Sequence, residues 1–274
     1  MITDLDINIS PDLLLVDAKS LLWRGVMGTP DAPVAYWLHY FTMLGQLEAH
    51  RIVCWDSSGK TARRAVYPDY KAHKKDQRDE HVLSTMRKAE DDLKKILALA
   101  GVQQAWAPQW EADDVIGTIV DGASDLDIAI LSSDRDFYQL LSKRVVLLTL
   151  NKKSFTVTTK RDAEKKVRIP IKYITKLKAV TGDRSDNIPG IPGYGEKRAP
   201  KLLEKCGFKL KRVAKETGFS YEKLMMFWNL VKINRKVELK WLPERPDRKK
   251  LVERLIMCRC KNILAGKKYL TLME

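Results

Sequence analysis

The pattern of apolar runs predicts an α/β fold for this 274-residue chain. A mostly parallel central sheet flanked by helices is expected, followed by a helical C-terminal region. Three observations carry this. Short apolar runs, several ending in an acid, recur through the first half; stretches of helical spacing lie between them; beyond residue 160 the strand pattern fades. Strands alternating with helices imply parallel pairing with both faces of the sheet covered.

Taken in order, "LLLVD" at 13–17 is a buried strand ending in Asp17. The aromatics and leucines of 34–50 fall near helical spacing and read as core. "RIVCWD" at 51–56 is a second strand, ending in Asp56, and residues 60–81 are polar and basic. A helix over 82–101 stops at Gly101. Pro108 breaks the chain before "EADDVIGTIVDGA", a helix with acids in its first turn. "DIAILSSDRD" at 127–136 is a third strand running into acids, and "RVVLLTL" a fourth. Residues 169–182 turn helical, with Pro170 suited to the first turn. Two further helical stretches follow, then a loop around Pro243 and Pro246 and a last amphipathic segment. The chain therefore divides into a core over 1–168 and a helical region over 169–274.

Lys and Arg number 50 against 35 Asp and Glu, a net charge of +15, which points to a polyanionic partner. No apolar run is long enough to cross a bilayer, and the acidic N-terminus lacks the features of a secretory signal, so an intracellular protein is expected. The four cysteines lack zinc spacing and read as reduced thiols.

The acids sit where an open α/β sheet builds its sites, at the carboxyl ends of strands. Asp17; Asp56; Glu111, Asp113 and Asp114; Asp134 and Asp136; and Asp183 and Asp186 make nine. Each alone is more often a cap or turn residue; together they are specific. So many like charges need a counter-charge. Oxygen ligands without histidine suit Mg²⁺ or Mn²⁺ rather than zinc. Two such ions, roughly 3.5–4 Å apart, activate water and stabilise a leaving oxygen in phosphodiester hydrolysis. An acidic pocket within a basic surface suits an enzyme that grips a phosphate backbone.

The stretch "GDRSDNIPGIPGYGEKRA" at 182–199 follows its acids with Gly190, Gly193 and Gly195, then basic residues. Glycine lets backbone amides approach a phosphate closely. Gly195 is expected to open a helix whose N-terminus favours anions, with Lys197, Arg198 and Lys201 adding charge.

Five ordered stretches, "LLLVDAKSLLWRG", "VCWDSSGKTARRAVYPDYKAHK", "EADDVIGTIV", "ILSSDRDFYQLL" and "AVTGDRSDNIPGIPGYGEKRAPKLL", resemble the 5′ nuclease (flap endonuclease) superfamily. The likeness is to the 5′–3′ exonuclease domain of bacterial DNA polymerase I and stand-alone bacteriophage relatives. It implies a PIN-like core, a helical arch at about 60–100 and a duplex-binding helix–three-turn–helix at about 175–206. It assigns Asp17, Asp56, Glu111, Asp113 and Asp114 to a first metal region, and Asp134, Asp136, Asp183 and Asp186 to a second. Lys71 matches an active-site lysine, Arg24 an arginine near the scissile phosphate, and Tyr70 an aromatic meeting the terminal base. Lys74 stands where relatives commonly have arginine, and so lacks the bidentate fork on phosphate.

The activity implied is Mg²⁺-dependent 5′–3′ exonuclease and flap endonuclease action in replication or repair. Its substrates are branched, flapped or nicked duplex DNA with a free 5′ end, and RNA–DNA hybrid is a further candidate. A K⁺ ion held by loop carbonyls of the helix–loop–helix, a monomer and a cytoplasmic place in a bacterial host complete the expectation. The length fits a stand-alone phage or bacterial enzyme. A non-catalytic junction binder is the alternative from another class, but it gains nothing from nine carboxylates facing phosphates.

Overall fold

In a computed structural model, which describes residues 9–72, 79–151, 154–265 and 270–273, seven strands form one mixed sheet in the order β6-β5-β4-β1-β2-β3-β7. They are β1 (Leu13–Asp17), β2 (His50–Cys54), β3 (Gln103–Trp106), β4 (Ile128–Leu131), β5 (Val145–Asn151), β6 (Ser154–Thr158) and β7 (Lys240–Trp241). The middle five pair in parallel; β6 on β5 and β7 on β3 are antiparallel.

The run of β1 is apolar throughout because both faces are covered. Leu13 and Leu15 enter one core with Ile116, Phe137 and Leu177. Leu14 and Val16 enter the other with Trp37, Phe41 and Leu93. The second face is covered by α1 (Ala18–Gly28), α2 (Pro33–Met43) and α4 (Glu80–Ala100), the short α3 (Ala62–Val66) lying between them in sequence. In α4, Met86, Ala89, Leu93, Ile96, Leu97 and Ala100 form the buried stripe of a 3.6-residue period. Asp79 caps its start, and Gly101 ends it at φ +76°.

The first face receives α5 (Ala112–Gly122) and, beyond α6 (Lys160–Val167), a helical cluster. The cluster comprises α7 (Ile174–Thr181), α8 (Ala199–Lys205), α9 (Leu210–Thr217) and α10 (Tyr221–Leu230). The end of the chain, expected to continue this helical region, instead returns to the core. Strand β7 joins the sheet, and α11 (Arg248–Met257), α12 (Lys261–Ala265) and α13 (Leu270–Met273) bury Leu251, Leu255, Ile263 and Leu272 on the second face. All four cysteines are free. No helix of the described residues is long and apolar enough to cross a membrane.

Register decides where the acids meet. Asp17 lies opposite Cys54 on β2, and Val16 opposite Leu131 on β4. The carboxyl ends of these three adjacent parallel strands therefore open on one side. The chain reverses its winding direction there, which leaves a crevice between β1 and β4.

Candidate active site

Asp17 closes β1 and caps α1, accepting from the Ser20 amide at 3.2 Å. Its other oxygen accepts from Ser132 Oγ at 2.7 Å. Burial outweighs those hydrogen bonds and, helped by Asp56 and Asp134, pushes its carboxyl up to about 6. Asp56, two residues past β2, accepts from the Ala112 amide at 2.8 Å and faces Lys19 Nζ at 2.5 Å. Burial opposes that charge, but Lys19 and the amide outweigh it and hold Asp56 below the usual carboxylate range.

Glu111 precedes α5, and Asp114 sits in its first turn with no exposed surface. Arg63 of α3 grips Asp114 through two bonds, Nη1 to Oδ2 at 2.6 Å and Nη2 to Oδ1 at 2.7 Å. The same guanidinium reaches Glu111 Oε2 at 3.2 Å and the carbonyls of Leu230 and Lys232 at 2.9 and 2.7 Å. Asp114 also accepts from the amides of Asn234 at 2.8 Å and Glu111 at 3.2 Å. Both its oxygens are committed, and it acts as a buried anchor for Arg63. Asp113 is the opposite case, with no hydrogen bond or ion pair among the described residues. Burial, then Glu111 and Asp114, push its carboxyl well up.

Tyr70 and Lys71 link these acids to the second group. The Tyr70 hydroxyl lies 2.8 Å from Glu111 Oε2 and 3.1 Å from Asp186 Oδ2. It has one proton to donate and gives it to one of them at a time. Tyr70, expected to meet the terminal base, is 2% exposed in this structure. Lys71, at φ +54°, places Nζ 2.5 Å from Glu111 Oε1 and 3.7 Å from Asp186 Oδ1. Burial works against its charge, but Glu111, Asp186 and Asp113 outweigh it and hold the ammonium's pKa above its ordinary value.

Asp136, Asp183 and Asp186 bring one carboxylate oxygen each within 4.8 Å of one another, the only such acidic group among the described residues. Asp134 sits at its rim, accepting from the Asp136 amide at 2.8 Å. Between these acids lies Lys178 of α7, ion-paired with Asp136 and 3.0 Å from Asp183 Oδ2. Burial raises Asp183, but Lys178 and the hydrogen bonds from Ser185 leave it lowered overall. The ammonium occupies a place that calls for positive charge. A set built only of carboxylate oxygens fits a hard divalent cation, and the crowded, unpartnered Asp113 adds to that demand.

The glycine-rich loop is stitched to this group. Asp183 and Ile188 exchange backbone hydrogen bonds at 2.7 and 2.8 Å, and the Ile191 amide donates to Val180. A Cβ on Gly190 would lie 2.3 Å from the Gly182 nitrogen, and one on Gly182 would lie 2.4 Å from the Ile188 carbonyl. Gly190 therefore serves the loop's own crossing and does not face outward. Gly193 and Gly195 are exposed and open. The helix expected at Gly195 begins four residues later, at Ala199, after a turn in which the Arg198 and Ala199 amides donate to Gly195. Lys197, Arg198 and Lys201 are exposed and make no ion pair among the described residues.

Arg24 lies on α1, half-buried, about two turns beyond Asp17, and does not reach the acids by any hydrogen bond. Lys74 falls outside the described residues. Sequence reasoning missed Lys178, Arg63, Lys19 and Ser132. The usable signal was spacing: Lys178 lies five residues before Asp183, and Lys19 two after Asp17.

Residues 12–168 match the family of the 5′-3′ exonuclease, N-terminal resolvase-like domain. The 5′-3′ exonuclease of Bacillus subtilis is 34% identical over 209 residues, 70% of this chain and 69% of that protein. The thermostable DNA polymerase I of Thermus filiformis is 35% identical over 158 residues, 57% of this chain but 18% of that much longer protein. Among solved structures, a bacteriophage T5 flap endonuclease in complex with DNA and metal ions superposes with a TM-score of 0.70 at 20% identity, covering 95% of this chain and 98% of that one. Fold, acid constellation and sequence agree: the chain belongs to the 5′-3′ exonuclease family of nucleases.

Proposed function

We propose that this protein is a Mg²⁺- or Mn²⁺-dependent 5′ nuclease that hydrolyses phosphodiesters of flapped, nicked or branched DNA from a free 5′ end, in replication or repair. The observation that carries this reading is the approach of Asp136, Asp183 and Asp186 to within 4.8 Å, with an ammonium held among them. These three would hold one cation, and Asp17, Asp56, Glu111, Asp113 and Asp134 would complete the surroundings for a second. Divalent cations bound there supply a water of lowered pKa and neutralise charge on the departing oxygen.

The chain's own residues do the rest. Lys71, held by Glu111 yet 30% exposed, presents a fixed positive charge to a phosphate entering the crevice. Tyr70 and Arg63 fix the orientation of Glu111 from the buried side. The open backbone at Gly193 and Gly195, with Lys197, Arg198 and Lys201 beside it, suits the phosphates of the duplex. A K⁺ ion at the loop carbonyls, action on RNA–DNA hybrid, a monomeric state and a cytoplasmic location belong to the same reading.

The test is product length on a 5′-labelled flap duplex. Cleavage near the junction with Mg²⁺, abolished by excess EDTA and restored by added metal, is expected. Undiminished cleavage in EDTA would falsify the metal-dependent reading. Tight junction binding with no cleavage in Mg²⁺ or Mn²⁺ would establish a binder instead.

A further inference from the structure

A lysine stands against one of the carboxylates at the strand ends, and the helix that carries it does not call for it there. Lys19 is the second residue of α1, at the end where aligned peptide dipoles favour acids over cations. Its ammonium lies 2.5 Å from Asp56 Oδ2. The other oxygen of Asp56 accepts from the Ala112 amide at 2.8 Å, so both are taken. Glu90 of α4 also favours the Lys19 charge, while Lys71 disfavours it, which puts a second ammonium close by.

Exposure and partners separate Lys19 from the other ammonium groups of the site. Lys178 is 16% exposed and paired with two aspartates, and Lys71 faces both Glu111 and Asp186. Lys19 is 49% exposed, and Asp56 is its one hydrogen-bond partner among the described residues. Its backbone is pinned by its neighbour: the Ser20 amide donates to Asp17, and Ser20 Oγ lies 2.9 Å from Ser133 Oγ. Only the flexible side chain is left free to swing.

A divalent cation of this kind binds through carboxylate oxygens and carries twice the charge of an ammonium. The oxygen that Asp56 could offer such an ion is the one that Lys19 holds. We propose that Lys19 is an exchangeable counter-ion, which holds Asp56 in the metal-free site, gives that carboxylate up to a divalent cation, and passes to the phosphate of the scissile bond. The second half of this rests on the reading of the protein as a nuclease. Lys19 thereby keeps the empty site from repelling itself, and its charge becomes available to the substrate only once metal has entered.

The test compares Lys19→Met, which keeps the stem and drops the charge, with Lys19→Arg, which keeps the charge. The probe for the first half is Mn²⁺ alone, titrated by calorimetry into the protein without DNA. Freed of its competitor, the site in Lys19→Met is expected to bind Mn²⁺ about two- to fivefold more tightly, the range of an exposed ion pair, with Lys19→Arg near the parent. Single-turnover cleavage of a 5′-labelled flap duplex at saturating Mg²⁺ is expected to move the other way. It should fall on the order of tenfold in Lys19→Met and recover in Lys19→Arg. A lysine with a merely structural role would lower both readings together. Mn²⁺ binding that is unchanged or weaker in Lys19→Met would overturn the exchange, and unchanged cleavage in that variant would overturn the passage to phosphate. A cleavage loss that Lys19→Arg does not recover would also overturn it, since charge is then not what was lost. A parent that takes up Mn²⁺ yet cuts no flap refutes the nuclease reading; the exchange at Asp56 is then decided by the Mn²⁺ titration alone.

Discussion

Replacing Arg63 by methionine keeps much of the side chain's volume and removes its charge. Asp114, with no exposed surface, then keeps a negative charge that only the Asn234 and Glu111 amides address. Breaking a buried pair from one side costs about 3–5 kcal/mol. Arg63→Met also strips the Leu230 and Lys232 carbonyls of their donor, adding about 1 kcal/mol or more for each that finds no water. A loss of about 5 kcal/mol corresponds to a melting temperature lowered by roughly 10–20 °C in a domain of this size. Scanning calorimetry or a circular dichroism melt measures it. Adding Asp114→Asn to Arg63→Met should recover part of the loss, because the uncompensated charge is gone. A single variant melting within about 2 °C of the parent, or a double variant no better than the single, would refute the view that Asp114 is an anchor.

Three further outcomes are expected. Lys178→Ala leaves Asp136 and Asp183 without their cation, so melting in EDTA should fall, and added Mg²⁺ should close most of the gap; an equal deficit with and without metal would contradict that. Asp17, pushed up to about 6, binds its proton more tightly folded than unfolded, so in EDTA it destabilises above that pH and ceases to do so as pH falls toward 4. Asp17→Asn should accordingly stabilise the metal-free protein at pH 8, by on the order of 2–3 kcal/mol, and leave it nearly unchanged near pH 4; urea melts at the two pH values decide. Gly190→Ala drives a methyl into the Gly182 backbone and should unfold the loop, whereas Gly193→Ala meets open space and bears only the strain of φ +82°, about 1–2 kcal/mol.

The strands that carry acids were legible because each is a short apolar run broken by a carboxylate, a pattern that burial on two faces imposes. Strand β3 was not, since its Gln104 is polar yet fully packed, accepting from the Trp55 indole and donating to the Lys94 carbonyl. Strand β6 is the adjacent antiparallel partner of β5, whereas β7 is a two-residue edge strand placed only by its pairing with the distant β3. In the site, aspartates stood out because acids are the minority charge. Lys178 and Arg63 were hidden among 50 basic residues, and only their pairing in space singles them out. The bonds of Tyr70 to the acids were hidden for a related reason: its two carboxylate partners lie 41 and 116 residues away.

The reach of Arg63 bears on how the enzyme is born. Its bond to the Leu230 carbonyl spans 167 residues, and the Asn234 amide that steadies Asp114 lies 120 residues beyond it. At roughly 5–20 residues per second, a ribosome needs about 10–30 s to travel from the arginine to its acceptor. From residue 186 onward the nascent chain holds all nine acids but still lacks the backbone that clamps α3 against α5. The cutting centre is thus completed only once synthesis has passed Asn234, and a product stalled before it carries the acids without the frame that aligns them.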